Sequence, residues 1–160
     1  MVDRPPRARS KRAASGELSD DDYERLAQLR HGLHSFLHWS AEQAKLAGLT
    51  PAQHQLLLAV RASREPRGPT VSDLSSTLLI RHHSAVELLD RAQEAGLVAR
   101  ERDPEQQSLV RVALTKLGAA KLRSLSELHL SELAQLAPTM RALWATIPDG
   151  GPDGGAVRGS

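Results

Sequence analysis

Apolar residues recur every three or four positions along most of the chain, and every second position over one short stretch. Leu26, Leu29, Leu33, Phe36 and Leu37 trace the first helical stripe. Ser19, followed by Asp20, Asp21 and Asp22, marks its start as an N-cap backed by carboxylates at the positive end of the helix dipole, and Gly48 marks its end. Thr50-Pro51-Ala52-Gln53 opens a second helix with a cap, a proline at the first helical position and a capping-box glutamine. Its apolar run Leu56 to Val60 predicts burial, and Arg64 to Pro69 ends it. Thr70 and Asp73 open a short third helix that runs to about Leu79. The fourth spans Arg81 to Ala95 and stops at Gly96. It turns Ala85, Leu88, Leu89 and Ala92 inward and Arg81, His82, Ser84, Glu87 and Arg91 outward, and its first position, Arg81, is a poor cap.

The period then shortens to two. Leu97 to Arg102 and Leu109 to Leu114 flank the polar loop Asp103 to Ser108, which predicts one hairpin. Thr115 caps a long fifth helix carrying Leu117, Leu122, Leu125, Leu128, Leu133 and Leu136; Pro138 is expected to break it, leaving a short sixth helix over Met140 to Ile147. The order predicts a mostly α fold with a small β-hairpin wing: a winged helix-turn-helix, whose second helix suits a DNA major groove, plus long terminal helices. Those terminal helices carry more apolar surface than a winged helix needs, which predicts a two-fold dimer. Residues 17–147 form the domain, with 17–48 and 115–147 as dimerisation helices and 50–114 as the winged helix. Residues 1–16 read as a disordered basic arm and 148–160 as a flexible Gly/Pro tail.

Composition narrows the chemistry. The 160 residues contain no cysteine, which removes disulfides, thiolate nucleophiles and thiol redox sensing. No apolar run approaches the roughly 20 residues that cross a bilayer, no secretory signal opens the chain, and a cytoplasmic location with no membrane partner is expected. The formal charge of +2 is uneven: residues 1–16 carry five cations and one acid, so the remainder sums to −2. The arm could reach nucleic acid or simply be solvated.

Leu49-Thr50-Pro51-Ala52-Gln53-His54, Leu88-Leu89-Asp90-Arg91, Gly96-Leu97-Val98-Ala99-Arg100 and Ala113-Leu114-Thr115-Lys116-Leu117-Gly118 together resemble the MarR family of transcription regulators. The resemblance covers about residues 20–147, in the family's order and spacing. It implies an obligate homodimer on a pseudo-palindromic double-stranded DNA operator. It also implies repression of nearby genes and, in many members, release by a small aromatic or phenolic effector held between the dimer helices and the winged helix.

By position, the DNA-binding residues are Arg81, His82, His83, Ser84, Glu87 and Arg91 on the fourth helix, with Arg102, Gln106, Gln107 and Ser108 at the wing. Arginine suits a bidentate contact to guanine, and Ser84 a base or phosphate; Arg81 could equally meet only a phosphate. Glu87 and Asp90 would repel phosphates unless directed elsewhere, and Asp90-Arg91 could tie the helix to the wing. The wing departs from the family: where an acid followed by an arginine is usual, Gln106, Gln107 and Ser108 carry no charge. Arg102 or the basic arm could compensate in the minor groove.

His31, His34 and His38 form a second stripe on the first helix. Such spacing suits zinc or nickel, but no acid or cysteine shares that face. The weightier reading has these histidines line the dimer contact or the effector cleft, with His34, His38, Trp39 and His54 around an effector pocket. No catalytic motif is present, so neither enzyme activity, nor a cofactor, nor a bound metal is expected. Two other readings stay open beside the regulator: a winged-helix protein-interaction module with weak DNA binding, and a histidine-based metal sensor.

Overall fold

A computed structural model describes residues 18–145; the expected basic arm and Gly/Pro tail lie outside the described residues. The order is α1 (Asp20–Leu46), α2 (Pro51–Ala62), α3 (Val71–Leu78), α4 (His82–Glu94), β1 (Val98–Arg102), β2 (Val110–Leu114) and α5 (Lys116–Ala145).

The starts are set by side-chain caps. Ser19, Thr50 and Thr70 each close a full capping box, with Asp22, Gln53 and Asp73 respectively as the returning side chain. Arg81, at the head of α4, makes no such bond, so that helix begins with unpaired amides. Three helices end alike. The N–H of Leu49 donates to Ala44 O, that of Ile80 to Ser75 O and that of Leu97 to Ala92 O, each two residues past a tightened last turn. The motif needs a left-handed residue, and Gly48 (φ 74°), Leu79 (φ 55°) and Gly96 (φ 68°) supply it.

The two strands pair antiparallel from Val98↔Leu114 to Arg102↔Val110. The hairpin leans on the α2–α3 loop through Val112 N–H to Pro69 O at 2.9 Å and a bridge between Thr70 and Arg111. Leu56, Leu57, Leu74, Leu89, Leu97, Val98 and Val112 fill the core together with Leu122 and Leu125 of α5. All four α4 residues expected inside (Ala85, Leu88, Leu89 and Ala92) are buried. Along α1 only Ala44 is buried, and Leu26, Leu33 and Leu37 are exposed, as are Leu128, Leu130 and Leu133 on α5.

One expectation fails. Pro138 does not break the last helix, and no separate sixth helix begins at Met140; α5 runs through to Ala145, and residues 146 and 147 lie outside the described residues. A proline removes one helical hydrogen bond, but its fixed φ is itself helical. Beyond it, half-buried Met140 meets α1, its sulfur lying 3.7 Å from where a Cβ on Gly32 would stand.

Two backbone positions admit opposite tests. A Cβ on Gly118 would lie 2.0 Å from Leu97 O, so Gly118→Ala should destabilise the fold by about 1–3 kcal/mol, the usual cost of overpacking. Leu79 is 91% exposed, so Leu79→Gly gives up little packing and relieves the left-handed strain. It should stabilise by about 1 kcal/mol. Urea unfolding of the two variants checks both signs.

Candidate nucleic-acid interface

The outer face of α4 is built by the burial of its inner one. Arg81, His82, His83, Glu87 and Arg91 are exposed and Ser84 is half-buried. The α4 start therefore presents cations, imidazoles and free amides together, a surface suited to phosphates and base edges. Asp90 does not join that face: its carboxylate accepts from Arg100 Nη2, and Arg100 Nε donates to Gln93 Oε1 at 2.6 Å, which fastens α4 to β1. Arg91 stays exposed and outside this tie.

At the wing, Arg102, Gln106, Gln107 and Ser108 are exposed, and behind them sits a charge cluster that sequence reasoning missed. Asp103 is 1% exposed. One of its oxygens accepts from Arg67 Nη1 (2.9 Å) and from the N–H groups of Glu105 (2.9 Å) and Gln106 (3.2 Å), and the other from Arg111 Nε (2.8 Å). These bonds, led by the Arg111 guanidinium, hold the Asp103 carboxyl below the usual carboxylate range. Glu105 lies 3.1 Å from Arg67 and Glu65 3.8 Å from Arg111. Two guanidiniums thus face three carboxylates, and this cluster offers DNA no surplus positive charge.

The residues expected around an effector divide. Trp39 and His54 come together through His129 of α5, at ring-centroid distances of 4.9 and 4.7 Å, and Phe36 adds an edge contact to His129 at 6.0 Å. His34 and His38 are exposed on α1 and take no part in this ring cluster. His129 donates from Nδ1 to Leu125 O (2.7 Å), which leaves Nε2 to accept from Ser40 Oγ–H (2.6 Å) when the ring is neutral. His129 had a signal: it continues the buried Leu122 and Leu125 at helical spacing. His54 is 7% exposed, and its burial, then the His129 charge, lowers its pKa. A cleft of about 270 Å³ opens elsewhere, between α2 and α3, lined by Arg64, Glu65, Asp73 and Thr77 among others, and by none of the four expected pocket residues. Among the described residues, no group of three or more His, Cys, Asp or Glu is placed to hold a metal, and no helix is long and apolar enough to cross a membrane.

Fold and exposed α4 define a winged helix-turn-helix. Residues 47–107 match the MarR family model. No sequence among the curated proteins matches the chain. Solved structures resemble it over most of its length. A MarR family transcription regulator has a TM-score of 0.68 at 23% identity, covering 79% of this chain and 83% of that one. A MarR family protein from Bacillus stearothermophilus has 0.66 at 22%, covering 81% and 95%. A mutant of MepR from S. aureus, bound to an oligodeoxyribonucleotide, has 0.60 at 16%, covering 81% and 95%. Residues 47–107 thus resemble the MarR family, and the chain has the fold of these solved structures.

His54 and Asp103 both predict acid sensitivity. A lowered His54 pKa means the unfolded chain takes up the proton first, so stability falls as pH drops below about 6.5. The Asp103 contribution is complete above the unfolded carboxylate value and is lost as pH falls below about 4. Unfolding midpoints from pH 8 to 3 should show both steps, with His54→Leu removing the upper one and Asp103→Asn reducing the lower, to which Asp73, bonded to Thr70, and Glu42, beside Lys45, also contribute.

Proposed function

We propose that this chain is a homodimeric, sequence-specific DNA-binding transcription regulator, a repressor released by a small aromatic or phenolic ligand. The observation that carries the reading is the exposed face of α4, with Arg81, His82 and His83 at an uncapped start. A relative of the same fold bound to an oligodeoxyribonucleotide supports it.

On this reading Arg81, His82, His83 and Ser84 meet base edges and phosphates, Glu87 and Arg91 line the groove, and Arg102 with Gln106, Gln107 and Ser108 approaches the flank. The exposed Leu26, Leu33 and Leu37 of α1 and Leu128, Leu130 and Leu133 of α5 meet a second copy, so 17–48 and 115–147 act as dimerisation helices around the winged helix 50–114. Two copies set the α4 helices about one DNA turn, ~34 Å, apart. Trp39 and His54, together with His34 and His38 of α1, would receive the flat ligand. A ligand favouring a form with misaligned α4 helices weakens DNA binding by its difference in affinity between the forms. The balanced charge at the wing favours a second reading, a protein-interaction module with weak DNA binding.

Selection of random duplexes by the purified protein separates the two. An enriched pseudo-palindrome with half-sites about ten base pairs apart is expected; no enrichment sinks the regulator reading. On the selected duplex, Arg81→Ala should weaken binding about tenfold or more. Gln107→Arg, which supplies the missing wing cation, should tighten binding and steepen the log–log salt slope by about one per wing. An unchanged slope would mean the wing does not reach phosphates.

A further inference from the structure

The left-handed position that closes α3 is the exception among three equal helix ends. Gly48 and Gly96 fill it after α1 and α4; Leu79 fills it after α3, at φ 55° and ψ 39°. A β-carbon is unfavourable there, and glycine removes the cost. Packing does not repay it, because Leu79 is 91% exposed, and its neighbour Ile80 is also partly uncovered at 36%. The fold therefore holds a strained leucine in water at the turn that leads into α4, two positions before Arg81.

Resting on the DNA-binding reading above, we propose that Leu79 is a specificity-determining residue that packs on the C5 methyl of a thymine at the edge of the groove entered by α4. The chemistry selects that occupant. Arg81, His82 and His83 supply polar groups for base edges and phosphates, while Leu79 and Ile80 offer only apolar surface. In the major groove the thymine methyl is the apolar group that matches such a surface. A second copy of this chain is the poorer match, since exposed leucines recur at helical spacing on α1 and α5 whereas Leu79 and Ile80 are two adjacent residues of one turn. Contact with a methyl group would give the uncovered leucine the burial that its own fold denies it.

The test uses the full chain and the duplex it selects, with each thymine replaced in turn by deoxyuridine, which removes only the methyl. Wild-type protein should lose about fourfold in affinity per half-site at one symmetry-related thymine pair, the effect of burying one methyl group. Leu79→Gly, and Leu79→Asn, which also tolerates the left-handed backbone, should bind the thymine duplex more weakly and be indifferent to that replacement. Unfolding of Leu79→Gly shows directly that weaker binding is not misfolding. Specific binding in which no replacement matters, or in which Leu79→Gly stays as sensitive as wild type, overturns the role of Leu79 alone. A chain that selects no sequence overturns the DNA-binding reading, and the role of Leu79 falls with it.

Discussion

The carbonyl of Leu97 is where the two halves of the molecule are joined. It accepts the Thr115 N–H at 3.1 Å while the Thr115 hydroxyl donates beside it to Gly96 O at 2.6 Å, and α5 approaches so closely that position 118 has no room for a side chain. Three residues on, Lys121 Nζ donates to Ala47 O at 2.6 Å and so caps the last turn of α1. The fifth helix is therefore fixed at one end to the first wing strand and to the end of the first helix. The angle between the winged helix and the long helices follows from these few polar contacts, while Leu122 and Leu125 supply the apolar area that keeps them dry. The His54–His129 contact lies further along the same seam, with α2 on one side and α1 and α5 on the other.

Charge is handled in the same economical way. Asp90 and Asp103 each sit beside arginines that sequence position alone would offer to a polyanion, and each keeps its arginines for the protein. Arg100 holds α4 to β1, and Arg67 with Arg111 holds the wing loop to the segment before α3. A buried carboxylate with four donors is worth more as a positional constraint than as a source of stability, because desolvation offsets much of the attraction. The cost falls on the wing, where Arg100 and Arg111 are held internally while Arg102 stays exposed.

Much of this was legible because it is local. Capping boxes at Thr50 and Thr70, glycine stops at Gly48 and Gly96, and the switch of period at Leu97 are short-range signals, and the elements begin and end within a residue or two of them. The outward face of α4 followed from the same periodicity. What was hidden is long-range. The Asp103 cluster joins residues 36 and 8 positions apart, and Ser40 meets His129 across 89. Helical spacing placed His34 and His38 near Trp39 in sequence but could not show that a histidine from α5 would fill the gap beside Trp39 and His54 instead. Pro138 is the converse case: its local signal is strong, yet its φ is itself helical and the helix continues through it.

A neutral wing and uncovered leucines on α1 and α5 are linked if this fold reads DNA. One short helix with an uncapped start makes few phosphate contacts, and the wing adds no surplus charge to them, so the affinity of a single winged helix is small. Two copies on one duplex turn the second contact into an intramolecular event, and the gain depends on geometry instead of charge. The apolar stripes would then do indirectly what cations at positions 106–108 would do directly. Any ligand that tilts the seam between α2 and the long helices would remove that gain at once, without having to compete with DNA for a charged surface.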